Sequence, residues 1–299
     1  MLYRPETFEP LTEEPWDETR VRAAIRSIVA DAEAAFDPDS LWPADEWDAW
    51  QARLPLTSLY VGAAGVVWAL DDRRGALGQR LAGQRRRALA AARCGRPLGE
   101  STGRSQPGAA HGVGTNVNAL LQGGELFPSE RHEELKRPTA EAFDRTAVVE
   151  DGLANWPMTA EDYPNLAADD GEIRLQWCHG GAGVVASAAA YLEEELLLAG
   201  AELVWRAGPP GMEKGLGICH GTAGNGYALL KVFERTSDER WLARARRFAV
   251  HALGQVERRR AKRGRGRYSL FTGDIGPALF AADCLDSRTA VPIVDAVDW

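Results

Sequence analysis

The sequence places a thiol next to an imidazole at two points, in the segments WCHGGAGVV (177–185) and ICHGTAGNGYALL (218–230). Each pair stands directly before a glycine-broken apolar run. The chain has only four Cys and five His, so chance repetition of the pattern C-H-G-x-A-G is improbable. Residues of these types can form a nucleophile with its base, hold a metal ion, or simply pack in a core.

Adjacent residues of a helix diverge by about 100°, so neither histidine is expected to face the neighbouring thiol as its base. A nucleophilic Cys would then need a distant His. A metal site requires only that the donors converge, and Cys178, Cys219 and either His179 or His220 would supply two sulfurs and a nitrogen. Three protein ligands are typical of catalytic zinc, and thiolates favour Zn²⁺ over Mg²⁺ or Ca²⁺. The spacing favours zinc and leaves a Cys nucleophile or buried structural thiols open.

Five segments that could position these residues share an apolar lead-in, a glycine turn and a helix-length apolar run. They are residues 58–70, 109–121, 177–190, 218–230 and 269–280. The second glycine of the turn is replaced by Thr115 in the second segment. Glycine permits close approaches that a side chain blocks, so each turn is expected to start a tightly packed inner helix.

Amphipathic stretches such as 239–253 lie between these segments, and strand signals are scarce. Inner and outer helices would form stacked α-hairpins. The pattern therefore predicts an all-α protein, an α/α toroid of helical hairpins whose GxxG turns gather at one end of the axis.

Composition narrows the class of protein. A net charge of −8 argues against a general binder of nucleic acids or acidic membranes. The first residues show neither a basic nor an apolar signal region, and no stretch is long and apolar enough for a membrane span. Four Cys without an export signal do not suggest a disulfide framework. We therefore expect a cytoplasmic protein with reduced thiols.

Three polar features lie outside the turns. The basic stretch 258–267 is expected to be a solvated helix face and a flexible loop, with a docking patch for an acidic or phosphorylated peptide as the alternative. His251 is expected to be an ordinary surface or helix residue. The segment 151–171, rich in Pro, Asp and Asn, predicts a loop.

The series W-C-H-G-x-x-G, G-x-C-H-G-x-A-G-N and S-L-F-x-G-x-x-G resembles the lanthionine synthetase C-like family, which includes the lantibiotic cyclases. The resemblance covers about residues 58–285. It implies an α/α toroid, in agreement with the helical pattern. It also implies that Cys178, Cys219 and His220 are zinc ligands, and that His111 in the AAHG segment is the catalytic histidine. His179 is then a neighbour of the site and not a ligand.

The activity that the resemblance implies is addition of a thiol to dehydroalanine or dehydrobutyrine in a peptide, which gives a thioether. Zinc would activate the thiol, and His111 would act as the proton donor. The alternative for His111 is a histidine satisfied by local hydrogen bonds. Expected partners are a dehydrated peptide, a small thiol such as glutathione, and a separate dehydratase or kinase, which this chain does not contain.

Two further residues could belong to the site. Trp177 is expected to pack beside the metal, with contact to substrate as the alternative. Asn225 could hydrogen-bond near the site, although local backbone bonding is the more common use of Asn at a turn.

The sequence departs from the family in its number of repeats. Full-length members have seven GxxG units and we find five, so about two are missing around residues 71–107. We expect residues 1–57 to form an N-terminal helical extension and residues 58–299 a single toroid domain, shortened or incompletely closed. One alternative function is a catalytically degenerate zinc-binding scaffold for peptides or proteins. Another is a glycoside hydrolase, which needs two carboxylates, whereas only Asp274 lies in a glycine turn.

Overall fold

A computed structural model describes residues 1–50, 52–72, 109–110, 113–122, 129–158, 173–292 and 294–295. The described helices are α1 (Glu18–Ala34), α2 (Glu46–Ala49), α3 (Ala63–Asp72), α4 (Val113–Gln122), α5 (Ser129–Thr146), α6 (Gly181–Ala188), α7 (Glu194–Ala207), α8 (Thr222–Thr236), α9 (Glu239–Arg263) and α10 (Ile275–Asp286). A 3₁₀ turn spans Pro5–Thr7, and strands β1 (Val148–Glu150) and β2 (Leu153–Asn155) form an antiparallel pair. The predicted all-α class is confirmed.

The inner helices begin at the glycine turns, as the sequence predicts. Helices α3, α6 and α8 start directly after Gly62, Gly180 and Gly221. All eight residues of α6 are buried, because its small and apolar side chains face neighbours on every side. The outer helix α9 is instead amphipathic, with a buried stripe that includes Trp241, Leu242, Ala245, Phe248 and Ala249.

The second glycine of each turn explains how the inner helices fit side by side. A methyl group at Gly224 would lie 2.8 Å from Cβ of Trp177, the lead-in residue of the preceding turn. The same relation places Gly276 against Ile218 and Gly65 against Leu270. Because Gly65 belongs to the first repeat and Leu270 to the last, the last repeat packs back on the first. This closure is what an α/α toroid requires.

The last hairpin combines both ends of the chain. Helix α10 is the inner helix, and α1 packs on it and on α9 in the position of an outer helix. The side chain of Asp17 accepts a hydrogen bond from the backbone of Arg20 and caps α1, whose buried face carries Val21, Ile25 and Ile28. Part of the predicted N-terminal extension is therefore part of the toroid wall.

The first residues of the predicted loop 151–171 form structure. Asp151 and Gly152, both with positive φ, make the two-residue turn between β1 and β2. Asn155 at the end of β2 is fully buried, and its side chain accepts a hydrogen bond of 2.5 Å from the backbone of Gly181. The hairpin therefore caps the start of α6. Residues 159–172 lie outside the described part.

The predicted solvated character of the basic stretch 258–267 is wrong for three of its arginines. Arg259 and Arg260 both bind the carboxylate of Asp274, at 2.7 and 3.0 Å. Arg267 binds the carboxylate of Asp48, with 2.8 Å between Nε and Oδ2. These charges are largely buried and neutralised within the chain, so they tie α2 and α9 to the last glycine turn.

His251 lies in α9, as one of the two expectations had it, but it is not a surface residue, since it is only 4% exposed. Its Nδ1 accepts a hydrogen bond from the backbone of Thr12 at 3.1 Å, and its Nε2 lies 2.6 Å from Glu9. An Nδ1 that accepts carries no proton, so Nε2 is the donor and the ring is neutral. His251 thus fixes the N-terminal segment on α9. Among the described residues, none of the helices has the length and apolar character to cross a membrane.

Candidate metal centre

A run of backbone hydrogen bonds joins the glycine turns at one end of the toroid. The N–H of Cys178 donates to the carbonyl of Cys219 at 2.9 Å, and the N–H of Cys219 donates to Phe271 at 2.8 Å. The N–H of Phe271 then donates to Tyr60 at 3.2 Å. These four residues occupy the same position in their repeats, two residues before the first glycine. Equivalent side chains are therefore brought together.

Three side chains of types that can bind a metal ion converge at this end. The sulfurs of Cys178 and Cys219 and a ring nitrogen of His220 all lie within 4.8 Å of one another. Around tetrahedral zinc, such donors stand about 3.5–3.8 Å apart, so the three side chains fit one ion. Both thiols are 5% exposed, whereas His220 is half-buried. Within the described part of the chain, this is the group of three with such spacing.

Hydrogen bonds make the two thiols unequal. Cys178 donates to Cys219, which raises the pKa of Cys178 well above its usual value and lowers that of Cys219 to about 5. His220 and Tyr60 also donate to Cys219. Three donors thus surround one sulfur and favour its anionic form. A cation can take the place of these protons, and thiolates are the form in which Cys binds metals.

The expected divergence of adjacent Cys and His is wrong for Cys219 and His220. Their side chains do meet, and the imidazole donates to the sulfur. The physical reason is that both residues lie in the turn, before α8 starts at Thr222, and so do not follow helical geometry. The turn is therefore what lets one short segment offer two donors to one point.

Aromatic side chains form one wall of the site. The rings of Tyr60 and Phe271 stack with centroids 4.7 Å apart and an interplanar angle of 7°. Trp177 lies against Phe271 at 5.3 Å. Trp177 is 3% exposed, and its packing beside a metal ion stays a prediction. Tyr60 was not found by sequence reasoning, although its register in the repeat, equal to that of Cys178 and Cys219, is the signal that marks it.

The other candidates lie around the turn of Cys178. The carbonyl of His179 accepts a hydrogen bond from the N–H of Gln176 at 2.9 Å, and His179 does not belong to the group of three donors. The side-chain oxygen of Gln176 lies 3.5 Å from the sulfur of Cys178. Asn225 is fully buried and donates to the carbonyl of Leu175 at 3.2 Å, so it holds the segment that leads to Cys178.

His111, the predicted catalytic histidine, and the adjacent Gly112 lie outside the residues that the structure describes. Its neighbour Ala109 is described and is buried. A methyl group on Gly183 would approach the backbone nitrogen of Ala109 at 3.1 Å. Ala109 therefore lies against α6, the helix that follows Cys178.

The acid in a glycine turn is not available for catalysis. Asp274 is completely buried, and both of its oxygens bind arginines. Burial raises its pKa, while Arg259 and Arg260 oppose that rise. This geometry is that of a structural ion pair, and it offers no support for a glycoside hydrolase.

Comparison with known families agrees with the geometry. The family model described as lanthionine synthetase C-like protein matches residues 92–297, which is more than half of the 299-residue chain. The chain belongs to the lanthionine synthetase C-like family. The resemblance noted in the sequence is therefore confirmed, and so is the α/α toroid that the family shares.

Two relatives of the chain show how much sequence identity and length it shares with known proteins. Glutathione S-transferase LANCL1 of Danio rerio is 29% identical over 192 residues, which cover 61% of this chain and 44% of the relative. LanC-like protein GCL1 of Arabidopsis thaliana is 26% identical over 136 residues, which cover 42% of this chain and 31% of the relative. The chain thus spans less than half the length of these relatives.

Proposed function

We propose that this protein is a zinc-dependent enzyme that adds a thiol to dehydroalanine or dehydrobutyrine in a peptide and so forms a thioether. The observation that carries the proposal is the convergence of Cys178, Cys219 and His220 at the turn end of the toroid. A structural zinc site is normally closed by four protein ligands, whereas the described residues supply three and leave a position for a reactant. We further propose that the protein acts in the cytoplasm.

Cys178, Cys219 and His220 would hold the ion. A bound Zn²⁺ lowers the pKa of a thiol and thereby supplies a thiolate at neutral pH. The buried setting strengthens electrostatic interactions in the site, because little water competes with them. The stacked rings of Tyr60 and Phe271 lie next to the site, since the Tyr60 hydroxyl contacts the sulfur of Cys219.

The reaction adds S–H across a carbon–carbon double bond. The C–S bond forms at the β-carbon, the electron pair moves toward the carbonyl, and a proton must then reach the α-carbon. We assign that proton transfer to His111, since an imidazole titrates near neutral pH and can give up a proton there. His111 thereby completes the addition without any external oxidant or reductant.

The thiol is the less specific part of the proposal. The Danio rerio relative is a glutathione S-transferase by name, which favours a small thiol such as glutathione as one reactant. A cysteine of the dehydrated peptide itself would have the same chemistry and would close a ring. In either case a separate dehydratase or kinase has to form the dehydroamino acid.

Metal content tests the site. We expect one zinc per chain after purification, and its loss in Cys219→Ala and in Cys178→Ala. Cys284→Ala is the matched control, because Cys284 is a fully buried thiol that does not belong to the donor group. Equal metal content in Cys219→Ala and Cys284→Ala would contradict the assigned ligands.

Thioether formation tests the reaction. A dehydroalanine peptide is incubated with glutathione, or carries its own cysteine, and the product is followed by mass spectrometry. Wild type should accelerate the addition, and His111→Ala should lower the rate by about 10²–10⁴-fold while zinc is retained. A zinc-loaded wild type that gives only the uncatalysed rate would favour the non-catalytic scaffold.

A further inference from the structure

Tyr60 enters the metal centre from the far end of the sequence. Its hydroxyl contacts the sulfur of Cys219, a residue of a different repeat, and donates a hydrogen bond to it. The first repeat thus supplies a polar group to a site whose three donors come from two later repeats.

The position of this hydroxyl is held by several independent contacts. The carbonyl of Tyr60 accepts a hydrogen bond from Phe271, whose own carbonyl accepts from Cys219. The ring of Tyr60 lies flat on Phe271, at 4.7 Å. A side chain fixed by backbone and ring contacts has little freedom to turn away, so its O–H stays directed at the sulfur.

A donor at a coordinating thiolate changes the ligand. The hydrogen bond draws electron density from the sulfur, and the metal then keeps more of its positive charge. That charge is what activates a bound thiol. The residues equivalent to Tyr60 in two other repeats are Cys178 and Cys219, so the first repeat offers a donor of hydrogen bonds where they offer metal ligands.

We propose that Tyr60 is a positioning residue of the metal centre, which holds and polarises the Cys219 thiolate through its hydroxyl. This role rests on the proposed metal site but is separate from the proposed reaction. It concerns the metal–sulfur bond, and it is therefore measurable without substrate.

The experiment compares Tyr60→Phe with wild type after Co²⁺ is substituted into the site. Tyr60→Phe keeps the ring on Phe271 and removes only the O–H. We expect the sulfur-to-cobalt charge-transfer band to move to longer wavelength, because the sulfur lone pairs lose their hydrogen bond. We also expect the affinity for Zn²⁺, measured by competition with a chromophoric chelator, to fall by roughly 10–100-fold, because the Cys219 thiolate loses the hydrogen bond that holds it in position and stabilises its charge.

Tyr191→Phe is the matched control. Tyr191 also has a buried hydroxyl, which has no hydrogen-bond partner among the described residues, and it is not part of the metal centre. This variant should leave the band and the affinity unchanged. A second probe, 3-fluorotyrosine at position 60, is a stronger donor of nearly the same shape and should move the band to shorter wavelength. It also replaces Tyr60→Phe if that variant fails to fold.

An unchanged band and an unchanged affinity in Tyr60→Phe would overturn the proposal. A wild type without sulfur-to-cobalt bands would overturn it as well, together with the metal site. Intact bands that respond to position 60 in a protein without thioether-forming activity would contradict only the proposed reaction.

Discussion

The turn of Cys219 and the turn of the last repeat share one backbone design but hold different polar clusters. Around Cys219, two thiols, an imidazole and a phenol meet. Around the last turn, Asp274 and Asp48 are matched by Arg259, Arg260 and Arg267. The first cluster contains thiol and imidazole groups, which suit a metal ion such as zinc. The second cluster consists of ion pairs.

The two clusters differ in how their charge is balanced. Carboxylates and guanidinium groups neutralise each other, so the cluster at Asp274 is complete without a ligand. In the cluster at Cys219, neighbouring protons stabilise a single sulfur anion, which a metal ion would do more strongly. A buried polar cluster whose charges pair with one another therefore has a structural role. A cluster whose donors converge without such pairing is a candidate binding site.

The largest effect is expected from a change in the second glycine of the turn, which both turns have. A methyl group at Gly224 would lie 1.8 Å from the carbonyl oxygen of Ile218, which is backbone and cannot rotate away. We expect Gly224→Ala to lower the free energy of unfolding in urea by about 5 kcal/mol or more. Gly254→Ala is the control, since the nearest atom there is the end of the Arg258 side chain at 3.6 Å. That change should raise stability by about 0.5–1 kcal/mol, as Ala suits a helix better.

The second prediction breaks the ionic cluster. Asp274→Ala leaves Arg259 and Arg260 without their shared carboxylate. We expect a loss of about 3 kcal/mol in urea unfolding, at the lower end for buried pairs, because both arginines keep some contact with water. Arg206→Ala, which removes an exposed pair with Glu202, should change stability by about 0.5 kcal/mol or less. Similar losses of stability in both variants would mean that the buried ion pairs at Asp274 do not stabilise the fold more than an exposed pair does.

The third prediction separates the clusters by metal. Zinc at 100 times its dissociation constant should stabilise wild type by about 2.7 kcal/mol, because only the folded chain presents the three donors together. Asp274→Ala should show the same gain from its lower baseline, and Cys219→Ala should show none. The thermal unfolding midpoint with and without zinc measures this. If zinc no longer stabilised Asp274→Ala, the two clusters would be energetically coupled and not independent.

The smallest effect concerns pH, at the N-terminal segment. Burial lowers the pKa of His251, and Arg258 adds to this, while Glu9 opposes it. The unfolded chain therefore binds a proton more readily than the folded chain below about pH 6.5. Stability should fall as the pH drops from there toward the lowered pKa, since protonated Nδ1 cannot accept from Thr12. His251→Gln should flatten this part of the stability profile. An equal slope in both proteins would assign the effect to other groups.

Much of this arrangement could be predicted because it is local and repeated. Glycine spacing marked where α3, α6, α8 and α10 begin, and repetition of the CHG segment indicated that Cys178 and Cys219 would meet. The role of Tyr60 escaped because Tyr is a common core residue, and only alignment of its repeat with the others distinguishes it. The burial of His251, Arg260 and Arg267 could not be predicted because their partners Glu9, Asp31 and Asp48 lie 219 to 242 residues away in the sequence. Arg259 pairs with Asp274, which is only 15 residues away, but this contact forms only because the chain turns back after α9.

The sequence by itself determined which chemical groups are present, namely two thiols and an imidazole. It also placed them next to glycines that mark a tight turn. Only the tertiary structure decided that the first repeat also reaches this point, because ring closure sets Gly65 against Leu270 and thereby brings Tyr60 to Cys219. The structure also decided that Asp274 is locked in ion pairs. The physical reason is that turns and helix starts depend on neighbouring residues, whereas convergence and charge pairing depend on contacts that form only when the chain folds back on itself.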